Sequence, residues 1–485
     1  MTSNSLLDVA KSSQNDNNEE QSKVVVVVVP LPAQGHLNQL LHFSHLVSSY
    51  DIPIHFVGSS THNHQAKARL HGHNHHNHNV KIHFHDMQLP PLDPTPPPNT
   101  DLSIPFPTHI QHLLEASTLH LREPVYHLMQ QLSLKFSRVI VIHDILTSSV
   151  VQDVKLISNA EAYTFIPLST FTFLYDCSTA MPQKFRPFHT KNNIINPGPK
   201  YDLFEECMPK ELWDFTINQV KLLGFESGWL YNSSRVIEGG FINMLESLKT
   251  NMNHFAIGPL HPIVHDTGFE SKHQCLEWLN KQEKGSVIYV SFGSITSLKD
   301  DQINELANGL DRCGKKFIWV LRNADPNDVV KQDDNKKLEP QLPQGYEEKV
   351  ENKGIVIRDW APQLDILAHE SIGGFMSHCG WNSCLESLSM GVPIAAWPMH
   401  SDQPRNAYLV CDVLRVGVVV RDWAHRNELV TSNSIENVVK RLMLSNEGKE
   451  MKERATKLGK AIRESVGQGG VSCFERDAFI AHVIR

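Results

Sequence analysis

The stretch VVVVVVPLPAQGHLNQL, residues 24–40, joins a run of valines to a helix-like pattern through a turn of small residues. A β-branched run that is apolar throughout indicates a strand buried on both faces, as at the centre of a parallel sheet. His36 stands where this strand would pass into the first helix. A titratable side chain at the end of a buried strand is either a structural residue or a catalyst, and the rest of the chain has to distinguish the two.

The same alternation of apolar runs and helix-length stretches continues through both halves of the chain. In the first half, strands are predicted at KVVVVVV (23–29), PIHFV (53–57), KIHFH (81–85), RVIVIHD (138–144) and EAYTFIPL (161–168). In the second half they are predicted at SVIYVSF (286–292), KFIWVLR (316–322), GIVIRDW (354–360), GGFMSH (373–378) and PIAAWP (393–398). Such runs are typical of parallel sheets covered on both faces by helices. We therefore predict an α/β protein of two doubly wound, Rossmann-like domains facing a cleft.

The pattern restarts near residue 285, after a stretch that contains Gly258, Pro259 and Pro262. Glycine and proline at this density favour a connection between domains. The predicted organisation is a disordered tail over 1–22, a first domain over 23–255, a linker over 256–275, a second domain over 276–465 and a C-terminal helix over 466–485 packing back on the first domain.

Composition excludes several classes of protein. The 485-residue chain has a net charge of −8, which argues against binding to a nucleic-acid backbone. No run reaches the roughly 20 apolar residues that span a bilayer. The N-terminus lacks the layout of a secretory signal, and the eight cysteines are scattered without a paired spacing. We expect a cytoplasmic protein with no membrane association.

Two further segments read as mobile loops. One is rich in histidine and asparagine (61–79, overlapping the histidine-rich region 62–85), and the other is rich in proline (86–107). The histidines invite a metal-site interpretation, but they lack carboxylate or cysteine companions and match no metalloenzyme spacing. We expect no metal there.

The most informative segment is WAPQLDILAHESIGGFMSHCGWNSCLESLSMGVPIAAWPMHSDQ, residues 360–403. Its middle reads as a strand, a glycine turn and a helix, so that a cluster of polar and small residues lies at a helix N-terminus: His378, Gly380, Asn382 and Ser383. Free backbone N–H groups and the helix dipole favour phosphate at such a position. A second glycine turn, 291–294, follows another buried strand and adds the Ser294 hydroxyl.

Side chains around this turn suit the other parts of a nucleotide sugar. Trp360 offers a plane for stacking on a base, and Gln363 could contact the polar edge of that base. Glu386 lies one turn past Ser383 for ribose hydroxyls, while Asp402 and Gln403 suit sugar hydroxyls. Each feature has an ordinary alternative: Trp360 as a core or rim residue, and Ser383 as a helix cap.

In its order and spacing, the segment resembles the signature box of plant family-1 UDP-dependent glycosyltransferases. The resemblance extends to PAQGH (32–36), VSFGS (290–294) and GGVSCFERDAFI (469–480). It implies a GT-B fold, with the acceptor bound in the first domain and the UDP-sugar donor in the second. The donor-binding residues that it implies are Ser294, Trp360, Ala361, Gln363, His378, Gly380, Trp381, Asn382, Ser383, Glu386, Asp402 and Gln403. A glutamine at the last of these positions is associated with glucose, although pentose donors stay open.

The resemblance also implies that His36 is the general base and Asp144 its orienting carboxylate. An acceptor hydroxyl is a weak nucleophile at neutral pH, and an imidazole can take its proton during attack. Asp144 ends the strand 138–144, where it could alternatively cap the next helix; its neighbour His143 would point to the opposite face. The expected reaction is a single displacement with inversion, using UDP-glucose as co-substrate and neither cofactor nor metal, with helix dipoles and His378 neutralising the departing UDP.

Within the family, the motifs HLNQ (36–39) and HSDQPRN (400–406) resemble those of the zeatin O-glucosyltransferase branch. The resemblance therefore implies a small hydroxylated acceptor, most simply a cytokinin, with a flavonoid or terpenoid acceptor or a UDP-xylose donor as alternatives. From other classes, a UDP-sugar epimerase and a catalytically silent UDP-sugar binder stay open. An oxidoreductase or an α/β-hydrolase would need glycine motifs that we do not find. A monomer is expected.

Overall fold

The computed structural model describes residues 23–73, 81–90, 111–177, 207–247, 252–263, 273–293, 296, 298–322 and 341–485. The predicted tail over 1–22 and most of the proline-rich segment lie outside these residues.

The first half of the chain builds a parallel sheet with strand order β3-β2-β1-β4-β5-β6-β7. Its strands are β1 (Val24–Val29), β2 (Ile54–Ser59), β3 (Ile82–Met87), β4 (Arg138–Asp144), β5 (Ala160–Ile166), β6 (Gly228–Tyr231) and β7 (Asn253–Ala256). The helices are α1 (Gln34–Ser48), α2 (Ser60–His73), α3 (Gln111–His120), α4 (Arg122–Ser133), α5 (Thr170–Thr172), α6 (Lys210–Lys221) and α7 (Arg235–Glu246), with a 3-10 segment at Ile145–Leu156 and a π-helical turn at Phe173–Cys177.

The second half repeats the arrangement with strand order β10-β9-β8-β11-β12-β13, also parallel. Its strands are β8 (Val287–Ser291), β9 (Lys316–Val320), β10 (Gly354–Ile357), β11 (Ile372–Ser377), β12 (Ile394–Ala396) and β13 (Gly417–Val419). Its helices are α8 (Gln274–Leu279), α9 (Asp300–Arg312), α10 (Tyr346–Val350), α11 (Gln363–Ala368), α12 (Trp381–Met390), α13 (Gln403–Tyr408), α14 (Ser432–Leu444) and α15 (Asn446–Val466), followed by α16 (Val471–Ile484). A π-helical turn at Leu409–Val413 and a 3-10 turn at Trp423–His425 complete it.

The valine run of β1 is buried on both faces, which is why it lacks polar alternation. Val24, Val26 and Val28 join a cluster that contains side chains of α1 and α16. The intervening valines join a second cluster that contains side chains of α4. Because helices cover both faces, all positions of the strand favour apolar, β-branched side chains.

The last helix, α16, packs on the first domain. Phe479 lies with its ring centre 5.9 Å from that of Phe43 and 5.4 Å from that of Phe255. Arg138, at the start of β4, donates to the carbonyl oxygens of His482 and Val483. The end of the chain therefore contributes to the core of the domain in which the chain begins.

Each sheet changes winding direction beside its first strand. In the first sheet this place lies between β1 and β4, and in the second between β8 and β11. The connections leave these neighbouring strands in opposite directions, which opens a crevice beyond their carboxyl ends, the usual ligand position in such sheets. His36 follows β1 and Asp144 ends β4; Gly293 follows β8 and His378 follows β11.

The structure corrects one prediction and adds three strands. The segment 61–79 was predicted as a mobile loop, but its first part belongs to α2, where His62 and Asn63 are buried and Asn63 donates to Asp86 Oδ1 at 2.7 Å. The strands β6, β7 and β13 were not predicted. Both β6 and β13 begin with glycine, a poor strand former, because a Cβ at Gly228 or Gly417 would approach a neighbouring carbonyl oxygen within 2.7 Å.

Candidate active site

His36 and Asp144 meet at the crevice of the first sheet. His36 lies in the first turn of α1, and its Nδ1 is 2.7 Å from Asp144 Oδ2. The Asp144 side chain is fully buried, whereas 21% of the His36 side chain is exposed. With Nδ1 held by the carboxylate, Nε2 is the ring nitrogen left to meet a substrate proton.

The second oxygen of Asp144 caps the next helical segment. Asp144 Oδ1 accepts a hydrogen bond from the backbone N–H of Leu146 at 2.9 Å. Capping and orientation of His36 had been alternatives in the sequence, and the structure combines them. Because one oxygen is held by the backbone, the other has a defined direction toward the imidazole.

The surroundings of His36 raise its pKa. Burial by itself lowers the pKa, but the charge and hydrogen bond of Asp144, together with the charge of Asp402, outweigh that effect. Asp402 comes from the second domain, so both sides of the cleft influence the ring. A raised pKa makes the imidazole a better proton acceptor, provided that the pH keeps it neutral.

His143, the neighbour of Asp144, faces away from this pair. Its Nε2 lies 3.1 Å from Thr164 Oγ1, and its ring stacks on Phe225. Burial lowers the pKa of His143 to about 4, which keeps the ring neutral. His143 is therefore a core residue of the first domain.

The predicted phosphate cradle forms the turn between β11 and α12. Gly380 occupies the N-cap of α12 and has no side chain to cap the helix, while the backbone N–H of Trp381 is a hydrogen-bond partner of the Asp402 carboxylate. A helix N-terminus of this kind is a favourable position for phosphate. The ring of His378 sits between two glycines: a Cβ on Gly380 would lie 2.6 Å from His378 Nε2, and one on Gly293 would lie 2.7 Å from it. The φ of +80° at Gly293 adds a second reason for glycine there.

His378 differs from His36 in charge. Burial lowers the pKa of His378 to about 4, against a smaller opposing effect of a hydrogen bond with the Ser291 backbone. The ring is neutral near pH 7, so it supplies no positive charge to the phosphates. The sequence had assigned part of the neutralisation of UDP to His378; the helix N-terminus is the source of partial positive charge that the structure provides.

Three predicted donor residues meet between α11 and α12. Gln363 Nε2 lies 3.0 Å from Ser383 Oγ and 2.7 Å from Glu386 Oε2. Burial raises the pKa of Glu386 to about 7, and the hydrogen bond from Gln363 opposes this. Trp360 precedes this cluster with 63% of its surface exposed, which leaves the ring open for stacking, and Ala361 beside it is buried.

Two predicted donor residues contact the first domain instead. The indole N–H of Trp381 donates to Asn232 O at 2.8 Å, and its ring is 3% exposed. The Asn382 amide donates to Gly35 O at 2.9 Å, next to His36. These contacts join the start of α12 to the turn that carries the candidate base.

Gln403 and Asp402 lie where β12 leads into α13. Gln403 is 3% exposed, and its Oε1 accepts from the backbone N–H groups of Met399 at 2.8 Å and His400 at 3.0 Å. The amide nitrogen of Gln403 lies 3.2 Å from His400 Nδ1. Asp402 Oδ2 accepts from the Asn406 amide at 2.7 Å. The sequence analysis assigned no role to His400 or Asn406, although both belong to the motif HSDQPRN (400–406).

Some predictions fall outside what the structure describes. Ser294 lies outside the described residues, although Gly293 before it is placed. Within the described part of the chain, no group of three or more His, Cys, Asp or Glu side chains is arranged to hold a metal ion. Nor does any helix there combine the length and apolar character needed to cross a membrane.

With this geometry established, comparisons with known proteins identify the class. Residues 22–262 match the family described as glycosyltransferase, N-terminal domain, and residues 256–463 match UDP-glucoronosyl and UDP-glucosyl transferase. Zeatin O-glucosyltransferase of Phaseolus lunatus is 49% identical over 94% of this chain and 96% of its own. Zeatin O-xylosyltransferase of Phaseolus vulgaris is 47% identical over 94% of this chain and 97% of its own.

A solved structure agrees with these sequence matches. The UGT transferase from Siraitia grosvenorii, crystallised in complex with UDP, aligns with a TM-score of 0.75 at 26% identity over 96% of this chain and 100% of that one. The chain therefore belongs to the UDP-glycosyltransferase family, and it is a transferase with the GT-B fold. The family, fold and enzyme class predicted from the sequence are confirmed, and neither the epimerase nor the silent binder is retained.

Proposed function

We propose that this enzyme transfers glucose from UDP-glucose to a hydroxyl group of a cytokinin such as zeatin, with His36 as general base and inversion at the anomeric carbon. The observation that carries the chemistry is the His36–Asp144 pair, 2.7 Å apart at the cleft. The observation that favours the acceptor is the 49% identity to a zeatin O-glucosyltransferase.

The proposed step is a single displacement. The acceptor oxygen forms a bond to the anomeric carbon and loses its proton to His36 Nε2. The bond between the anomeric carbon and the β-phosphate oxygen breaks, and UDP leaves with the electron pair. Asp144, held through Nδ1, stabilises the imidazolium that results, and the N-terminus of α12 would stabilise the phosphates of the departing UDP.

The donor side is assigned residue by residue. Trp360, which is exposed, would stack on uracil, and Glu386, which accepts a hydrogen bond from Gln363, would bind the ribose. His378 and the first N–H groups of α12 would hold the diphosphate, while Asp402 and Gln403 would hold the hexose. No metal or other cofactor has a part in this proposal. The scattered free thiols of the described residues fit a reducing compartment, so we propose that the enzyme is cytoplasmic. We also propose that it acts as a monomer.

UDP-xylose is the second candidate donor, because a zeatin O-xylosyltransferase is nearly as similar. Gln403 supports glucose by the family tendency, yet its amide oxygen is already engaged by the backbone of Met399 and His400. Direct competition between the two donors therefore belongs in the first experiment.

The test is mass spectrometry of products formed by the purified enzyme. Equal amounts of UDP-glucose and UDP-xylose are supplied with trans-zeatin, cis-zeatin, a flavonoid or a terpenoid alcohol, and each product's mass and anomeric configuration are determined. We expect β-linked glucosyl zeatin. Glycosylated flavonoid or terpenoid with zeatin unchanged would overturn the acceptor, a pentosyl product would overturn the donor, and an α-linked product would overturn the single displacement.

A further inference from the structure

Asn406 is a buried amide at the boundary between the two domains. Its Oδ1 lies 2.9 Å from Ser169 Oγ and 3.2 Å from Thr172 Oγ1. Its Nδ2 donates to Asp402 Oδ2 at 2.7 Å and to Cys379 O at 3.0 Å. A carboxamide has two N–H groups and one oxygen that can accept twice, so the hydrogen-bonding capacity of this side chain is fully used.

On the first domain, Asn406 contacts the turn that begins α5. Ser169 caps α5, which follows β5 at the carboxyl edge of the first sheet. Buried Glu238 holds this turn by accepting from the backbone N–H groups of Thr170 at 3.0 Å and Phe171 at 2.8 Å. The hydroxyl of Ser233, after β6, donates to the same carboxylate. The Asn406 oxygen is therefore hydrogen-bonded to a segment that buried contacts of Glu238 hold in turn.

The contacts on the second domain are made to the donor side of the cleft. Cys379 belongs to the turn before α12, beside His378, and Asp402 precedes α13. Groups from several elements face Asp402: Asn406 of α13, His36 of α1, the Cys379 thiol and the backbone N–H of Trp381. Burial raises the pKa of Asp402, and the hydrogen bond from Asn406 is the largest opposing influence, followed by the charge of His36.

We propose that Asn406 is a positioning residue that fixes the Asp402 carboxylate for the sugar hydroxyls of the donor and couples it to the first domain. This inference rests on the proposed function, because it takes Asp402 as a sugar-binding residue. Asn406 touches neither acceptor nor donor in this scheme. It acts by holding the Asp402 carboxyl group in one direction within a cleft built from both domains.

Asn406→Asp tests the proposal with a minimal change of shape. The substitution keeps an acceptor toward Ser169 and Thr172, but it places a second carboxyl oxygen where an N–H donated to Asp402. At mildly acidic pH the new carboxyl group is protonated, and its O–H can replace the lost N–H. At higher pH both groups ionise and repel one another, because two close carboxylates cannot both be charged without cost.

The measurement is calorimetric binding of UDP and of UDP-glucose from mildly acidic to mildly alkaline pH. The ratio of the two dissociation constants isolates the contribution of the sugar. For the unmodified enzyme, we expect the sugar contribution to weaken only as the pH falls and Asp402 is protonated. For Asn406→Asp we expect the opposite slope, with the sugar contribution falling by about 10-fold as the pH rises and UDP affinity almost constant.

Asn159→Asp is the matched control. The Asn159 amide likewise donates twice, here to the backbone carbonyl oxygens of Ser133 and Phe136, but it lies before β5, away from the cleft. We expect it to leave both the ratio and its pH dependence unchanged. A loss of UDP and UDP-glucose affinity together in Asn406→Asp, with no pH slope, would indicate a merely structural role and overturn the proposal.

A double variant covers the case in which Asn406→Asp does not fold. Asp402→Asn with Asn406→Asp restores one amide–carboxylate pair across the same gap, but the carboxylate changes sides. We expect a folded protein with a weak sugar contribution; a full contribution would overturn the inference. If the unmodified enzyme binds UDP-glucose no better than UDP and forms no product, the proposed function fails, whereas unchanged binding in Asn406→Asp defeats only this inference.

Discussion

The two domains place a histidine at the same kind of crevice and give it opposite electrostatic surroundings. His36 lies against the Asp144 carboxylate, which raises its pKa despite burial. His378 lies between Gly293 and Gly380 with no carboxylate at hydrogen-bonding distance among the described contacts, and burial lowers its pKa to about 4. One ring is prepared to take a proton, while the other stays neutral.

The comparison shows that topology supplies the position and neighbouring side chains supply the chemistry. Both crevices arise where neighbouring parallel strands send their connections in opposite directions. In the first domain, a carboxylate ends the neighbouring strand. In the second, small residues and a helix N-terminus occupy the corresponding region. Substitutions in one crevice at a time therefore separate proton transfer from donor binding.

The largest effect is expected for His36→Ala. Loss of the proton acceptor should lower the rate of transfer by about 10³-fold, within the usual range for a general base. UDP affinity should stay within about 2-fold, because His378 and α12 are unchanged. Steady-state kinetics and calorimetry measure the two quantities, with His45→Ala in the same helix as control. Loss of UDP affinity would show that the ring is structural, and the contrast between the domains would fail.

Asp144→Asn removes the carboxylate while keeping an oxygen that can cap Leu146. We expect the maximal rate to fall by about 10- to 100-fold, because the imidazolium loses its partner. Since Asp144 raises the pKa of His36, its removal lowers that pKa, and the acidic limb of kcat/KM should move to lower pH. Asp422→Asn, at another carboxylate cap, is the control. An acidic limb that does not move would contradict the assigned pair.

Gly380→Ala tests the donor crevice. The added Cβ would lie 2.6 Å from His378 Nε2, so the ring must move. Overpacking of this kind costs about 1–3 kcal/mol, which corresponds to about a 5- to 150-fold weakening of UDP binding if the displacement falls on the cradle. Gly35→Ala is the matched control in the other crevice, since its Cβ would meet no atom within 4 Å. Equal UDP affinities of the two variants would contradict the assigned cradle.

The smallest effect is expected for Gln403→His. The glutamine oxygen accepts from two backbone N–H groups, and an imidazole nitrogen cannot replace both contacts. We expect the preference for UDP-glucose over UDP-xylose to fall by about 5-fold, measured with both donors in one reaction. An unchanged donor ratio would mean that the direction of Gln403 has no part in donor choice.

Local sequence was sufficient for most of the fold, because a strand buried on both faces is apolar along its central positions. The runs at 24–29, 139–142 and 287–290 are such stretches. It was insufficient for β6 and β13, where glycine is required by a neighbouring carbonyl that only the sheet brings near. It was misleading for α2, whose polar composition conceals the buried hydrogen bonds of Asn63.

The candidate site divides in the same way. Strand ends and glycine turns are visible in the sequence, so His36, Asp144 and the turn before α12 could be located along the chain. The pairing of Gln363 with Ser383 and Glu386, and the interdomain contact of Asn382 with Gly35, join residues distant in sequence. No periodicity or spacing encodes such contacts, because they depend on how separate elements are packed.

The sequence by itself determined two parallel α/β domains, the family and the positions at which polar side chains leave buried strands, because these follow from local hydrophobic pattern and from a long motif. Only the tertiary structure decided that Asp144 both caps a helix and holds His36, that His378 is neutral, and that Asn406 links Asp402 to the opposite domain. Charge state and hydrogen-bond direction depend on burial and on partners from other elements, and those exist only once the chain has folded.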